Sequence, residues 1–503
     1  MLRIHVSVES TTAKLTGFLK KWRDVLMALS PTEKLTVLQS HVQLGDPHEW
    51  TDARNRLSIR FAIYESLVRY GEQGLYRPAL AQSWTLENDA RTWTFNLRTG
   101  VSFHNGDTLK AQDVVATLER ARDPEMAGEL GTKGLCQSYL EGATIEAVSE
   151  HTVRLITPQP MADLLDLLVE VPIVPQSAIA GLPNSALGSG PYRLVEAGDD
   201  CIVMEAFEDY WGGRPPVKQV YWQAEPNAQQ RVEALLAGEA DLITEVTPEG
   251  RRIIEATDQA TVVARESSVC TVFMCNCRSG VCTDRRVRQA LNYALDVPAL
   301  IETVMEGAAR PINGPLASMH FGYDPATPPY PYDPDKAREL LAKAGYADGL
   351  KLVLDVPTVL PDEAPRLAQY MAEQYAKVGI TTEIKEFTDR PGYAEMVKAK
   401  QIDDACCFDS SPLSTYRVMR EKFHSRIGGP WWQGYSNPEV DTLLDQAQAT
   451  ADNARRRNLY RRAYRLIRDD APWIFLYNSV IFWGVGPRAR GWTAEIDGLV
   501  RLV

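Results

Sequence analysis

Residues 91–124 read RTWTFNLRTGVSFHNGDTLKAQDVVATLERARDP, and this stretch has the pattern of a small, sharply bounded structural unit. Large apolar and polar side chains alternate over 93–97, which is typical of a half-buried strand. A second short strand is predicted before the Asn-Gly pair at 105–106, a strong turn signal. Apolar residues then recur at helical spacing over 111–118 until an Asp-Pro pair ends the run. None of these residues is an obvious catalytic group, so the pattern indicates scaffold.

The whole chain has 503 residues, which predicts about three domains at roughly 100–200 residues per domain. Hydrophobic residues make up 45% and charged residues 24%, a composition that supports large cores and argues against a disordered protein. The net charge of −12 disfavours a nucleic-acid partner, because phosphate binding needs a basic surface. No apolar run is long enough to predict a transmembrane helix.

The N-terminal segment does not match a typical export signal. Apolar residues over 12–30 trace one face of a helix, but lysine, arginine and aspartate residues interrupt them. We therefore expect residues 1–33 to form an amphipathic helix that docks on the folded body. An over-extended gene start, a helix lying on a membrane surface and an atypical leader are the alternatives.

Eight cysteines are present, and four of them cluster in CTVFMCNCRSGVC (270–282). Their spacing does not match the paired pattern of zinc sites, so no metal site is expected. Two further cysteines, Cys406 and Cys407, are adjacent. We expect these cysteines to be small, buried apolar residues, with or without one disulfide.

Strand and helix patterns alternate along the rest of the chain, which indicates an α/β protein without internal repeats. The predicted elements are a strand at 34–44, a helix at 57–70, strand-rich segments over 75–157, a strand pair at 188–211, a helix and strand at 229–246, and an α/β block that begins at 269. Asn437-Pro438-Glu439 predicts the capped start of a later helix. No G-x-S-x-G, H-E-x-x-H, P-loop or dinucleotide-binding motif occurs, which weighs against an enzyme.

Several blocks of sequence occur in an order that points to one family. The longest joins YESLVRY (64–70) and RPALAQSW (77–84) to the stretch 91–124, and the others are LGSGPYRLVEA, EDYWGG, LLAGEADL, DRRVRQALNYALD, YDPDKARELLAKAGY and YSNPEVDTLLDQA. From about Lys34 onward, the chain resembles the family 5 solute-binding proteins of ABC importers. These proteins carry peptides, nickel complexes and related solutes.

The resemblance implies a large α/β clamp of the periplasmic-binding-protein type, with two lobes and an extra subdomain inserted in the first. By resemblance, the chain crosses between the lobes near 265–270 and 473–478. The implied boundaries are 34–62, 178–266 and 476–503 for lobe I, 63–177 for the extra subdomain, and 267–475 for lobe II. The stretch 91–124 then belongs to the extra subdomain.

The implied function is that of a receptor that closes around a solute and presents it to a membrane permease. We expect a peptide or peptide-like ligand, a periplasmic location, a monomer, no cofactor and no enzymatic activity. A nickel-type receptor for metal chelates and a cytoplasmic sensor built on the same clamp are the alternative hypotheses.

The resemblance also suggests a contact for the amino group of a ligand. Peptide-binding members place an aspartate just after a lobe II strand and before a helix led by proline, and Asp409 is the matching residue. Cys406 and Ser411 replace an aromatic and an acidic residue that the family often has nearby, which puts peptide specificity in doubt. A structural role for Asp409, such as capping the following turn, is the alternative.

We expect Ser411-Pro412 to start a helix whose one face carries Arg417, Arg420 and His424. An arginine there is able to grip a ligand carboxylate in bidentate fashion, although a solvated charged face is equally compatible with the pattern. His424 matches the position of a histidine in the nickel-binding members, but their aromatic partners are missing.

Three further residues are candidates for the cleft. His41 and Gln43 follow the first strand of lobe I, in a loop that edges the cleft in this family. Tyr477 lies at the last crossing, at a family position close to the cleft.

A disulfide between Cys270 and Cys407 is the last expectation. Neighbouring strands bring such positions within bridging distance, and only one of two adjacent cysteines faces a given partner. The choice of Cys407 over Cys406 rests on the resemblance, which implies a bridge between these two strand positions in some peptide-binding relatives. The alternative is that all eight thiols are reduced.

Overall fold

The structure is a computed structural model that describes residues 32–128 and 134–503. The amphipathic helix or leader predicted at the N-terminus lies outside these residues. Among the helices that the structure does describe, none is both long and apolar enough to cross a membrane.

The described residues form strands and helices that alternate along most of the chain. The strands are β1 (Thr32–Gln39), β2 (Val68–Tyr70), β3 (Tyr76–Pro78), β4 (Ala81–Leu86), β5 (Thr92–Leu97), β6 (Thr144–Ser149), β7 (Thr152–Ile156), β8 (Tyr192–Ala197), β9 (Cys201–Ala206), β10 (Val217–Ala224), β11 (Leu242–Ile243), β12 (Thr261–Cys275), β13 (Ala309–Pro311), β14 (Leu350–Pro357), β15 (Ile380–Phe387), β16 (Ala405–Ser410) and β17 (Trp473–Val485). The α-helices are α1 (Arg54–Ile63), α2 (Ala111–Ala121), α3 (Leu135–Leu140), α4 (Leu165–Leu168), α5 (Ala228–Leu236), α6 (Pro248–Glu255), α7 (Arg285–Tyr293), α8 (Val297–Val304), α9 (Pro334–Lys343), α10 (Ala364–Ala376), α11 (Arg390–Lys398), α12 (Thr415–Phe423), α13 (Pro438–Gln448) and α14 (Asn453–Asp470).

One large mixed sheet runs through both lobes, with strand order β15-β14-β16-β12-β17-β11-β1-β10-β9-β8 and β13 paired to β17. The strands from β8 to β11, with β1, lie on the lobe I side, and β14 to β16 lie on the lobe II side. The long strands β12 and β17 are antiparallel neighbours that run from one side to the other. The two halves of the molecule are therefore joined by two adjacent chain crossings.

The stretch 91–124 forms part of a separate four-stranded sheet, β4-β5-β7-β6. The inward residues of β5 are Trp93, Phe95 and Leu97, all at least 97% buried, as the alternation predicts. The predicted second strand is reduced to a single bridge between Ser102 and Thr108.

The helix predicted at 57–70 is wrong in its second half. Helix α1 ends at Ile63, and the chain then turns into β2. The cause is tertiary, because the buried carboxylate of Glu65 accepts hydrogen bonds from the hydroxyl of Tyr210 at 2.9 Å and the indole of Trp211 at 2.6 Å. A continued helix would not meet these donors.

The predicted disulfide between Cys270 and Cys407 is also wrong, because the two side chains lie on opposite faces of the sheet. Cys407 is paired in register with Phe273 and packs with it in one core, whereas Cys270 is opposite Ser410 and packs in another. The offset of three strand positions corresponds to about 10 Å, which exceeds the Cα separation of a disulfide. All eight cysteines are free thiols, and six of them are buried.

Candidate functional site

A cavity lies where the two lobes and the extra subdomain meet. Its walls come from six separate parts of the chain: the loop before α1 with the start of α1, the end of β2, the region around α4, the middle of β12, the segment after β16 with the start of α12, and the C-terminal segment. The lining residues are Trp50, Asp52, Arg54, Leu57, Tyr70, Asp166, Glu170, Ser268, Ser411, Pro412, Leu413, Ser414, Arg417, Asp497 and Leu499.

The lobe II wall is a short connection between β16 and α12. The predicted helix start at Ser411 is wrong by several residues, because α12 begins at Thr415. Ser414 is its N-cap, and the Ser414 hydroxyl accepts a hydrogen bond from the backbone N–H of Arg417 at 3.1 Å. The extended residues 411–413 therefore face the cavity, and Arg417 lies in the first turn of the helix.

An ion pair crosses the cavity from lobe I to lobe II. Arg417 Nη1 lies 3.2 Å from Asp52 Oδ1, and the Ser411 hydroxyl donates to Asp52 Oδ2 at 3.2 Å. Burial opposes ionisation of Asp52, but the neighbouring guanidinium overrides it and holds the pKa of Asp52 below its ordinary value. The guanidinium also lies 5.4 Å from the ring centre of Trp50. Arg417 Nε is buried and has no hydrogen-bond partner among the described residues.

Asp409 lies near the end of β16 and close to the cavity, although it does not line it. Burial raises the pKa of Asp409 to about 6, and Arg390 opposes the shift. Arg390 Nη2 is 3.7 Å from Asp409 Oδ1, which is longer than a hydrogen bond. The adjacent Ser410 accepts a hydrogen bond from the buried Lys422 ammonium at 2.6 Å. This bond connects the end of β16 to α12.

Glu170 is a cavity carboxyl that sequence reasoning missed. It accepts a hydrogen bond from the Tyr70 hydroxyl at 2.7 Å, and burial raises its pKa to about 7. Asp52, Arg54 and Asp497 were missed as well. Only the expectation that the loop after β1 edges the cleft pointed toward Asp52 and Arg54.

Arg420 and His424 do not meet Arg417 in the cavity. Arg420 Nη1 and His424 Nε2 both contact Asp445 Oδ1 on α13, at 2.9 and 3.1 Å. The His424 side chain is only 2% exposed. Arg420 instead lines a separate groove between lobe II and the extra subdomain.

The other three candidates also lie outside the cavity lining. Tyr477 is buried in the lobe II core and donates its hydroxyl to Glu363 at 2.7 Å. His41 and Gln43 are exposed on the loop after β1, where His41 Nδ1 contacts the Ser40 hydroxyl at 3.1 Å. Across residues 32–128 and 134–503, no group of three or more His, Cys, Asp or Glu side chains is arranged to hold a metal ion.

Comparison with known proteins adds a family to this geometry. The family described as "Bacterial extracellular solute-binding proteins, family 5 Middle" matches residues 76–449. The chain belongs to this family. The resemblance seen in the sequence blocks is thereby confirmed, and this family 5 protein is a member of a group of extracellular solute receptors rather than an enzyme class.

Two curated relatives cover most of this family 5 protein. Heme-binding protein A of Haemophilus influenzae is 29% identical over 475 residues, covering 87% of this chain and 85% of its own. The glutathione-binding protein GsiB of Pectobacterium atrosepticum is 29% identical over 455 residues, covering 86% of this chain and 85% of its own.

Solved structures confirm the two-lobed α/β fold. HbpA2 from Haemophilus parasuis matches with a TM-score of 0.83 at 20% identity, covering 93% of this chain and 98% of its own. DppA from Helicobacter pylori, a periplasmic binding protein in complex with a peptide, matches with a TM-score of 0.74 at 22% identity, covering 95% of this chain and 98% of its own.

Proposed function

We propose that this family 5 protein is the receptor of an ABC importer for a small peptide or peptide-like solute, which it encloses between its lobes. The observation that carries the proposal is the interlobe cavity, which has charged groups of both signs on its walls. Glutathione-binding and peptide-bound relatives support this class of ligand.

The charged groups suggest how a zwitterionic solute binds. Asp409 makes no hydrogen bond to its nearest cation, Arg390, and accepts the ligand's ammonium group, and Arg417 offers its planar guanidinium to a carboxylate. A carboxylate that reaches Arg417 competes with Asp52, which now occupies one face of the guanidinium. Arg420, His424, Tyr477, His41 and Gln43 have no direct ligand contact in this proposal.

Transport follows from hinge closure. The solute stabilises the closed form by contacting both lobes, and the closed form docks on the permease subunits. We propose that the protein acts in the periplasm as a monomer. We also propose the lobe and subdomain limits that the resemblance implies, with the extra subdomain at 63–177 and lobe II at 267–475.

A metal chelate is less well supported as the ligand. His424 was the histidine that motivated it, and this ring is buried against Asp445 and away from the cavity. A cytoplasmic sensor is disfavoured by the extracellular character of the family.

A thermal-shift panel tests the proposal. Dipeptides, tripeptides, glutathione, opines and a nickel–histidine complex are added singly to the wild type, Asp409→Asn and Asp335→Asn. A ligand that binds only the native state stabilises it by about 2.7 kcal/mol at a hundredfold excess over Kd. We expect a peptide-like compound to raise the melting point of the wild type and of Asp335→Asn, whose side chain is 91% exposed, and to raise that of Asp409→Asn by about half as much or less. A shift with nickel–histidine alone would contradict the proposal.

A further inference from the structure

A short segment of the extra subdomain, residues 161–168, packs onto lobe II. The Ala162 N–H donates to the carbonyl oxygen of Gln448 at the end of α13 at 2.9 Å. The Arg456 guanidinium on α14 donates to the carbonyl oxygen of Ala162. We call residues 161–168 the docking segment, because it contacts three consecutive lobe II helices, α12, α13 and α14.

Asp166 in the docking segment accepts hydrogen bonds from the start of α12. Its Oδ2 accepts from the Ser414 hydroxyl at 2.5 Å and from the Tyr416 N–H at 3.2 Å. Its Oδ1 accepts from the Tyr76 hydroxyl of the extra subdomain at 2.5 Å. A carboxylate at a helix N-terminus is favoured by the unpaired backbone N–H groups and by the helix dipole. Asp166 therefore completes the cap of a helix that belongs to another part of the molecule.

Asp163 makes a second carboxylate contact, with α14. Its Oδ2 accepts from the Tyr460 hydroxyl at 2.7 Å, and Arg456 Nη1 lies 3.7 Å from Oδ1. The two aspartates are only 2% and 7% exposed. Burial raises the pKa of both carboxyls, so each depends on its donors to stay ionised.

The helix that Asp166 caps also carries Arg417. The Ser414 hydroxyl donates to Asp166 and at the same time accepts from the Arg417 N–H. A continuous hydrogen-bond chain thus connects the docking segment to the backbone of Arg417, the residue that faces Asp52 in the cavity.

The topology makes this contact sensitive to lobe movement. The extra subdomain is entered from α1 and left toward β8, and both elements lie on the lobe I side. When lobe II swings away from lobe I, the donors from Ser414, Tyr416 and Tyr460 must separate from the docking segment.

We propose that Asp163 and Asp166 are positioning residues that hold the two lobes closed and fix α12, with Arg417, at the cleft. The inference rests on the proposed function, because closure around a solute is what these contacts would stabilise. Their partners are all within the chain, so these contacts stabilise the closed form with or without a solute, and the solute's own contacts with both lobes complete the shift to that form.

Small-angle X-ray scattering of the solute-free protein tests this proposal. We expect the solute-free wild type to populate the closed form in part, and Asp163→Ala/Asp166→Ala to show a larger radius of gyration and a longer maximum dimension. The variant Ser414→Ala/Tyr460→Phe removes the two hydroxyl donors on the lobe II side and should expand in the same direction, which guards against misfolding of the first variant.

Asp241→Ala is the matched control. Asp241 is also only 2% exposed and accepts from the Thr36 N–H and the Arg488 guanidinium, but all three residues belong to lobe I. Its loss should lower the melting point and leave the radius of gyration unchanged. Equal radii for the wild type and the two double variants, Asp163→Ala/Asp166→Ala and Ser414→Ala/Tyr460→Phe, each folded by circular dichroism, would overturn the inference. Because no solute is added, failure here is distinguishable from failure of the proposed ligand class.

Discussion

The Asp409 carboxylate is expected to strengthen ligand binding and to lower the stability of the solute-free protein. Its pKa is raised to about 6 by burial, and the nearest cation, Arg390, is too distant for a hydrogen bond. An ionised carboxyl in this place therefore destabilises the solute-free protein. We predict that Asp409→Asn raises the melting point at about pH 7.5 and weakens peptide binding by about tenfold or more, since a hydrogen bond to a charged group contributes about 1.5–3 kcal/mol.

The pH dependence of this effect has a definite sign. The pKa of Asp409 is higher in the folded protein than the ordinary value of 3.8, so the destabilisation is present above about pH 6 and fades as the pH falls toward the ordinary value. The melting points of the wild type and Asp409→Asn should therefore converge near about pH 4. Calorimetric titration of the best panel compound checks the affinity, and equal affinities for the two proteins would remove Asp409 from the site.

Arg417 and Arg420 lie on adjacent turns of α12 but have different surroundings. Arg417 faces Asp52 in the cavity, whereas Arg420 pairs with Asp445 in a separate groove. We predict that Arg417→Lys weakens peptide binding by about tenfold, because lysine keeps the charge but loses the planar donor fork. Arg420→Lys is the matched control and should bind as the wild type does, in the same calorimetric titration. If Arg420→Lys weakened binding and Arg417→Lys did not, the ligand would bind in the groove lined by Arg420 and not in the interlobe cavity.

Sequence reasoning reached only part of the candidate site at this scale. Arg417 was a candidate because of the helical spacing predicted after Ser411-Pro412, and Asp409, which the family pattern marks, lies close to the cavity without lining it. Asp52, Glu170 and Asp497 come from three distant segments and meet only through the packing of both lobes and the extra subdomain. No local spacing connects them. Arg420 and His424 were expected on one helical face with Arg417, but both pair with Asp445 on a neighbouring helix.

Helix α13 shows how well a strong local signal predicts an element. Asn437-Pro438-Glu439 predicted a capped start, and the Asn437 side chain accepts from the N–H groups of Glu439 and Val440. Its Nδ2 also donates to Asp470 at 2.7 Å. We predict that Asn437→Ala lowers the free energy of unfolding by about 1–2 kcal/mol, the usual loss for such a cap.

Urea denaturation measures this loss, and the affinity for the best panel compound serves as the control. Asn437 lies outside the cavity lining, so the affinity should not change. An unfolding free energy equal to that of the wild type would mean that water replaces the cap without loss.

Other elements were predicted only as far as local pattern governs them. Strand β5 and helix α2 follow their periodicity because their apolar faces point into the extra subdomain core. The helix predicted at 57–70 fails after Ile63 because Glu65 is satisfied by Tyr210 and Trp211, residues more than a hundred positions away. The cysteine pairing fails for a similar reason, since strand register decides which face each thiol occupies.

At the scale of the whole molecule, the pairing between the two strands that cross between the lobes is irregular at two points, across residues 267–269 of β12 and between Thr271 and Val272. Strand β12 pairs with β17 up to Glu266, opposite Val480, and again from Cys270, opposite Asn478. Residues 267–269 of β12 therefore span a single residue of β17, and the ladder is interrupted. Such a bulge weakens pairing locally and lets a strand bend. It lies inside the crossing predicted near 265–270.

Hydrogen bonds connect the bulge to both sides of the cleft. The Arg54 guanidinium on the lobe I side donates to the Ser267 hydroxyl at 2.7 Å, and the Ser268 hydroxyl donates to the carbonyl oxygen of Ser411 in lobe II at 2.8 Å. A change in the angle between the lobes thus acts directly on residues 267–269. These positions are suited to absorb the backbone rotation of a hinge.

We predict that the bulge is the flexible point of the β12 crossing. In hydrogen–deuterium exchange read by mass spectrometry, amides of residues 267–269 should exchange about tenfold faster than those of residues 272–275, because interrupted ladders open more readily than continuous ones. The continuous parallel ladder of β14 with β15 is the internal control and should stay protected throughout. Addition of the best panel compound should slow exchange at 267–269 by stabilising one lobe angle. Equal protection across 261–275, with or without that compound, would show that β12 crosses as a rigid strand and that the movement has another origin.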